Sequence, residues 1–99
     1  MNFFRKLFGS GSKESLKKLY SQGALLVDVR SRDEYNIGHA ADSVNIPLQF
    51  LIQAKEKLKD KTVIAVCRTG TRSAMAVNLL TNEGIKAYNG GAWDNWKKA

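Results

Sequence analysis

A cysteine followed closely by two arginines and a glycine is the part of this sequence best suited to chemistry. Residues 62–73 read TVIAVCRTGTRS, so an apolar, β-branched run brings Cys67 to the start of a short loop. Loop N–H groups, the N-terminus of a following helix and the charges of Arg68 and Arg72 all favour a thiolate over a thiol. We therefore expect Cys67 to be a nucleophile whose pKa lies below the ~8.5 of a free thiol, although burial of the sulfur opposes that shift.

The loop that follows the cysteine is predicted to bind an anion. Gly70 tolerates positive φ, so the backbone can turn and direct successive N–H groups at one point. The alternative for Cys67 is a buried structural thiol, since free cysteine is among the most buried residue types. The neighbouring charges favour the nucleophile instead. The predicted substrate-binding residues are Arg68, Thr69, Gly70, Thr71 and Arg72.

Alternating strand and helix patterns place this loop at the edge of a sheet. Strands are predicted at 24–29, 43–46, 62–66 and 85–88. Helices are predicted after Ser12, from a capping box at Ser31 and Glu34, over 48–58 and 72–83, and at the C-terminus around two tryptophans. This alternation indicates an α/β domain with a mainly parallel sheet, and such sheets bind ligands at the carboxyl ends of their strands.

Composition limits the alternatives. The 99 residues suffice for one domain, and the single cysteine excludes an intrachain disulfide. One cysteine and one histidine argue against a structural zinc site, so neither a metal nor a cofactor is expected. The net charge of +7 favours anionic partners. Because no zinc-finger, RNP-like or helix-turn-helix pattern is present, nucleic acid is not among the predicted partners.

The first eleven residues are predicted to be an appendage to a domain spanning residues 12–99. Phe4, Leu7 and Phe8 form an apolar stripe beside two basic residues, followed by a Gly-Ser hinge. The stripe is too short for a secretory signal or a membrane span, so we expect a cytoplasmic protein. Packing of the stripe on the domain, or fraying, is favoured over contact with a membrane surface.

Several motifs, in order along residues 12–99, resemble the single-domain rhodanese sulfurtransferases. They are Asp28-Val-Arg30, Asp33-Glu34-Tyr35, Gly38-His39, Asn45-Ile46-Pro47, the loop from Cys67 to Ser73, and Gly90-Gly91 with the tryptophans. The resemblance implies a rhodanese-like fold, with a parallel five-stranded sheet flanked by helices, and a persulfide carried on Cys67. The chain departs from the family's usual Ile-Pro-Gly-Ala turn with Ala40-Ala41-Asp42-Ser43.

The predicted activity is a thiosulfate sulfurtransferase with ping-pong kinetics. Sulfane sulfur would pass from thiosulfate or a persulfide donor to Cys67, and then to cyanide, a thiol or an acceptor protein. Asp28 and Arg30 are expected to form a buried pair that supports the loop, and His39 to be a hydrogen-bonding turn residue. Trp93 and Trp96 are expected in the core.

Three other functions stay open. One is a dedicated persulfide carrier for a partner protein, and another is a non-catalytic interaction module, which the presence of Cys67 disfavours. The third is a cysteine-dependent phosphatase or arsenate reductase, which also holds a thiolate in a cradle closed by arginine. Four residues rather than five separate Cys67 from Arg72, a spacing that suits a sulfur atom better than a tetrahedral phosphate.

Overall fold

Four parallel strands form the single sheet in the computed structural model, which describes residues 12–99. They are β1 (Leu25–Asp28), β2 (Val44–Asn45), β3 (Thr62–Cys67) and β4 (Lys86–Ala92), in the order β2-β1-β3-β4. The predicted parallel α/β architecture is confirmed. The fifth strand implied by the resemblance is not among the described residues, where only four segments have a strand pattern. The appendage predicted at 1–11 lies outside the described residues.

Helix α1 (Lys13–Ser21) precedes the first strand, and three helices lie between successive strands: α2 (Arg32–Ile37), α3 (Lys55–Leu58) and α4 (Thr71–Asn82). The two predicted caps are present. Ser12 accepts a hydrogen bond from the Ser15 N–H group at 3.0 Å, and Ser31 forms a capping box with Glu34. These bonds satisfy N–H groups that a helix start leaves unpaired. Within residues 12–99, no helix combines the length and apolar character needed to cross a membrane.

Two predicted helices are wrong. Residues 48–58 form two 3₁₀ turns, Leu48–Phe50 and Ile52–Ala54, and only then the short helix α3. No side chain caps either turn, and the backbone tightens to i→i+3 hydrogen bonds. At the C-terminus, Trp93–Asn95 is a single 3₁₀ turn, after which the chain extends. The backbone there pairs with residues 39–41 instead of continuing a helix.

Side chains of β3 alternate between two apolar layers, which determines where the cysteine points. Val63, Ala65 and Cys67 face the layer that contains α4, whereas Ile64 and Val66 face the layer that contains α1 and Trp96. All five are buried. Because successive strand residues point to opposite faces, the register of β3 places the Cys67 side chain under the first turn of α4.

Strand β4 continues through Gly90 and Gly91, beyond the strand predicted at 85–88. Ala65 pairs with Asn89 and Val66 with Gly91, so Gly90 is an extra residue in a bulge. An added Cβ at Gly90 would lie 2.7 Å from Ile64 Cγ2 and 2.8 Å from Val66 Cγ1. The close approach of β4 to β3 therefore requires glycine at this position, and the bulge sets where Asn89 and Gly91 face the cysteine loop.

Gly90→Ala is expected to destabilise the domain by about 1–3 kcal/mol, because the new methyl group overpacks β3. Urea unfolding followed by circular dichroism measures this change. Lys86→Ala, at an exposed position of the same strand, is the control and should leave the unfolding midpoint within experimental error. An unchanged midpoint for Gly90→Ala would show that β4 relaxes away from β3 at no cost.

Candidate active site

Cys67 is the last residue of β3, and its sulfur faces a ring of donors formed by the loop and the first turn of α4. The residue is buried, with 1% of its surface exposed. Its Sγ accepts the Gly70 N–H at 3.0 Å and the Ser73 N–H at 3.4 Å. Gly70 has φ +98°, the left-handed conformation predicted for it. That turn directs the Gly70 N–H group back toward the sulfur.

Opposing effects act on the protonation of this thiol. Burial raises the pKa of Cys67, whereas hydrogen bonds from the Ser73 hydroxyl and from the N–H groups of Ser73, Gly70 and Thr69 lower it. The hydrogen bonds prevail together, so the pKa lies below its ordinary value. The direction agrees with the prediction, but the main source is hydrogen bonding from the loop rather than the arginine charges.

Ser73 and Asn89 belong to the site, although neither was among the site residues predicted from the sequence. The Ser73 hydroxyl lies 3.4 Å from Cys67 Sγ and donates to Asn89 Oδ1 at 2.6 Å. Asn89 Nδ2 donates to the Gly70 carbonyl at 3.1 Å. The position of Ser73 in the first turn of a helix after the cysteine loop was a usable signal. Asn89 had none, because its position depends on the bulge in β4.

Arg72 is paired with an acidic residue of another helix. Its Nη1 and Nη2 donate to the two carboxylate oxygens of Glu34 at 2.7 and 2.9 Å. This pairing, together with the Ser31 N–H, lowers the pKa of Glu34 from 4.5 to about 2, and Glu34 raises the pKa of Arg72. Glu34 is thus the capping-box acid that the sequence predicted and also the partner of an arginine in the first turn of α4. The ion pair connects α2 to the start of α4, directly after the cysteine loop.

The Glu34 pair predicts an acid-dependent loss of stability. Because the pKa of Glu34 is lower in the folded state than in the unfolded chain, its contribution is present above about pH 4.5 and disappears as the pH falls toward 2. We expect the difference in unfolding free energy between the parent and Glu34→Gln to shrink over this range. Urea unfolding at several pH values measures it.

The choice of glutamine makes that comparison specific. Glutamine retains the capping box but removes the charge, so the comparison isolates the ion pair with Arg72. Glu56→Gln removes an exposed carboxylate from a surface pair and serves as the control. A difference between the parent and Glu34→Gln that is constant down to pH 2 would contradict the assignment.

Asp28 and Arg30 form the predicted buried pair at the end of β1. Arg30 Nη2 lies 2.8 Å from Asp28 Oδ2, and both residues are buried. The same guanidinium donates to the Gly38 carbonyl at 2.7 Å. It also lies over the Trp93 ring, with Arg30 Cζ 4.6 Å from the ring centroid. These contacts tie the end of β1 to the turn after α2. Support of the cysteine loop by this pair stays a prediction.

His39, Trp93 and Trp96 have the structural environments expected of them. His39 Nδ1 lies 2.9 Å from the Tyr35 carbonyl oxygen, and the rings of His39 and Tyr35 stack with their centroids 3.9 Å apart. Trp96 is buried in the core, where its Nε1 donates to the Gly90 carbonyl at 3.1 Å, and Trp93 is partly buried beside it. In the described part of the chain, no three or more His, Cys, Asp or Glu side chains cluster as metal ligands.

Beside the loop lies an open groove of about 660 Å³. Residues 69–71 and 89–91 line it together with Lys13 and Leu16 of α1. Arg68 and Thr69 are exposed at the surface of the loop. The arrangement combines a buried thiol of lowered pKa, convergent N–H donors, a solvent-exposed guanidinium and space for a small molecule. It is suited to nucleophilic attack by sulfur on an anion.

Comparisons with known proteins agree with this geometry. The family model described as "Rhodanese-like domain" matches residues 12–99. A tRNA sulfurtransferase of Thermoplasma acidophilum is 36% identical over 74 residues, which cover 75% of this chain and 15% of that protein. The protein YibN of Escherichia coli is 37% identical over 77 residues, covering 73% of this chain and 53% of its own length.

Two solved structures are similar along nearly their whole length. The human single-domain sulfurtransferase has a TM-score of 0.76 at 29% identity, covering 89% of this chain and 94% of that one. A rhodanese-related protein of Thermoplasma volcanium has a TM-score of 0.75 at 28% identity, covering 93% of this chain and 98% of that one. By contrast, the chain spans less than a fifth of the first curated relatives it matches, with 15% and 19% of their lengths covered.

Proposed function

This chain belongs to the rhodanese-like sulfurtransferase family, and from that premise we propose that it moves sulfane sulfur from an anionic donor to a nucleophilic acceptor through a persulfide on Cys67. Thiosulfate is the proposed donor, and cyanide, a thiol or an acceptor protein the proposed acceptor. One observation carries the proposal: the only cysteine of the chain has its sulfur 3.0 Å from the Gly70 N–H at the end of a buried strand.

In the first half-reaction, the Cys67 thiolate attacks the outer sulfur of thiosulfate. A sulfur–sulfur bond forms to Cys67, the bond inside thiosulfate breaks, and sulfite leaves with the bonding electron pair. The negative charge of the enzyme passes from Sγ to the terminal sulfur of the persulfide. The N–H groups of Gly70 and Ser73, which already donate to Sγ, are the proposed donors for that charge.

In the second half-reaction, the acceptor attacks the terminal sulfur of the persulfide. With cyanide, a carbon–sulfur bond forms, the persulfide bond breaks, and thiocyanate leaves while the Cys67 thiolate is restored. The lowered pKa of Cys67 makes its thiolate a good leaving group in this step. Because Cys67 is the only cysteine, no second thiol of the chain resolves the persulfide, and the sulfur passes to another molecule.

Whole-protein mass spectrometry tests the proposal. After incubation with thiosulfate and removal of the excess, we expect the mass of the chain to increase by one sulfur atom. Addition of cyanide should restore the original mass and release one equivalent of thiocyanate. A chain that gains no sulfur from thiosulfate or from a small persulfide donor would disprove the proposal.

Arg68 is the proposed source of attraction for the anionic donor. It is exposed beside the loop, whereas Arg72 is engaged by Glu34. We expect Arg68→Ala to raise KM for thiosulfate about three- to tenfold at low salt with little change in kcat, and the effect to fade at high salt. Lys86→Ala removes the same charge at the opposite end of the sheet, where Lys86 pairs with Thr62. Equal KM values for the two variants would contradict this role.

A further inference from the structure

The Ser73 hydroxyl has one proton and three neighbouring acceptors. Its oxygen lies 2.6 Å from Asn89 Oδ1, 3.1 Å from the Gly70 carbonyl and 3.4 Å from Cys67 Sγ. A hydroxyl donates only one hydrogen bond at a time, so these acceptors compete. The distances favour Asn89 when the sulfur is a neutral thiol, and the S–H group can then donate to the Ser73 oxygen.

The side chain of Asn89 is oriented by its other two contacts. Its Oδ1 accepts the Gly91 N–H at 2.9 Å, and its Nδ2 donates to the Gly70 carbonyl at 3.1 Å. The Gly91 N–H fits only the oxygen of the amide and the Gly70 carbonyl fits only its nitrogen, so the carbonyl oxygen of Asn89 points at Ser73. The bulge at Gly90 makes this arrangement possible because it brings the Asn89 side chain and the Gly91 N–H group together.

We propose that Asn89 is a positioning residue for the nucleophile: its carbonyl oxygen holds the Ser73 hydroxyl proton while the Cys67 sulfur is neutral and gives it up when the sulfur is an anion. The proposal rests on the sulfur-transfer function proposed above. It assigns Asn89 no contact with the substrate, since Asn89 acts on the sulfur through Ser73.

The hydroxyl rotates once when the thiol first ionises and then twice in each catalytic cycle. When the thiol proton leaves to solvent, the Ser73 hydroxyl breaks its bond to Asn89 Oδ1 and donates to the Cys67 anion, a stronger acceptor. Asn89 Oδ1 keeps the Gly91 N–H, so it is not left unpaired. When Sγ becomes neutral in the persulfide, the hydroxyl returns to Asn89. In the second half-reaction it rotates back to the departing thiolate.

Competition for the hydroxyl proton predicts the direction in which Asn89 changes the pKa of Cys67. As long as Asn89 holds the hydroxyl, it withholds one stabilising donor from the thiolate. Removal of its carbonyl therefore favours the anion, whereas removal of the Ser73 hydroxyl disfavours it. If Asn89 only held the Gly70 loop in place, removal of its side chain would instead raise the pKa of Cys67, because a loosened loop loses N–H donors to the sulfur.

Other charged groups near this end of the sheet are unchanged by the test. They are the Arg72–Glu34 pair on α4 and α2, the Asp28–Arg30 pair at the end of β1, Arg68 in the loop, and Lys13 of α1, which lines the groove beside the loop. The charge of Arg72 interacts with Cys67: the pKa of Arg72 is raised mainly by its hydrogen bond to Glu34 and in smaller part by the thiolate. Because these groups are common to all variants, a shift in the Cys67 titration reports on Ser73 and Asn89.

The experiment titrates Cys67 in the full chain. Thiolate absorbance in the far ultraviolet is followed against pH, with Cys67→Ser subtracted as the blank, and iodoacetamide alkylation rates give a second measurement. We expect Asn89→Ala to lower the midpoint. At a pH well below the midpoint, its thiolate fraction should exceed that of the parent about three- to tenfold. Ser73→Ala should raise the midpoint. Asn78→Ala, an exposed asparagine on α4, is the control and should leave it unchanged.

A double variant decides between the relay and a merely structural role. In the Ser73→Ala background, Asn89→Ala should no longer move the midpoint, because the coupling runs through the hydroxyl. Asn89→Ala alone tests the sign even if Ser73→Ala does not fold. A midpoint raised or unmoved by Asn89→Ala, or lowered equally with and without Ser73, would overturn the proposal.

The titration uses no sulfur donor, so its outcome is separate from that of the proposed function. A chain that accepts no sulfur but shows the predicted midpoints would disprove sulfur transfer and leave the hydrogen-bond relay intact. A chain that transfers sulfur but shows no shift in the Asn89 variants would keep the function and disprove the relay.

Discussion

Cys67→Ser is expected to abolish transfer of sulfur from thiosulfate to cyanide, with a loss of at least about a thousandfold in kcat/KM. A hydroxyl is a far weaker nucleophile than a thiolate, and an oxygen at this position cannot carry the persulfide. The variant should still fold, since the Gly70 and Ser73 N–H groups can donate to the new hydroxyl. We expect a change in unfolding free energy of about 1 kcal/mol.

Thiocyanate formation and urea unfolding measure the two quantities on the same preparation. Retained turnover in a folded Cys67→Ser protein would show that the sulfur passes through another group. Loss of the fold together with the activity would indicate that Cys67 contributes mainly to packing under α4. The separation of activity from stability therefore distinguishes a nucleophile from a structural thiol.

Gly70→Ala is expected to lower kcat/KM by about a hundredfold or more. The left-handed conformation at Gly70, with φ +98°, costs an alanine about 1–2 kcal/mol. If the loop relieves that strain, the Gly70 N–H turns away from the sulfur, and loss of one preorganised donor of this kind costs about 10²–10³ in rate. The added methyl group itself meets only Gly91 Cα, at 3.8 Å, so conformation rather than space is the cause.

Gly84→Ala is the matched control for this prediction. Gly84 also has a positive φ, +79°, and an added Cβ there meets no atom within 4 Å. It follows α4 at the end remote from the cysteine loop. Both variants should lose stability, measured by urea unfolding, but only Gly70→Ala should lose sulfur transfer. Equal kcat/KM values for the two would show that the Gly70 N–H does not act on the sulfur.

Local sequence patterns predicted the elements that carry their own signals. A β-branched apolar run fixed β3, and side chains able to cap their own helix fixed the starts of α1 and α2. Gly70 was identified as the turn residue because few other residues tolerate the conformation. Where such signals were weak, prediction failed. The segment 48–58 has helical spacing but no cap, and it divides into 3₁₀ turns before α3.

The candidate nucleophile, its loop and the family could be identified from the sequence alone, because consecutive residues specify a strand, a cysteine and a turn into a helix. Which groups act on that cysteine was decided by the tertiary structure. Glu34 reaches Arg72 across 38 positions of the chain, and Asn89 reaches Ser73 across 16. These partners depend on strand order and on a one-residue bulge, which depend in turn on how closely β4 packs on β3. Such contacts join segments distant in sequence, and no local pattern encodes them.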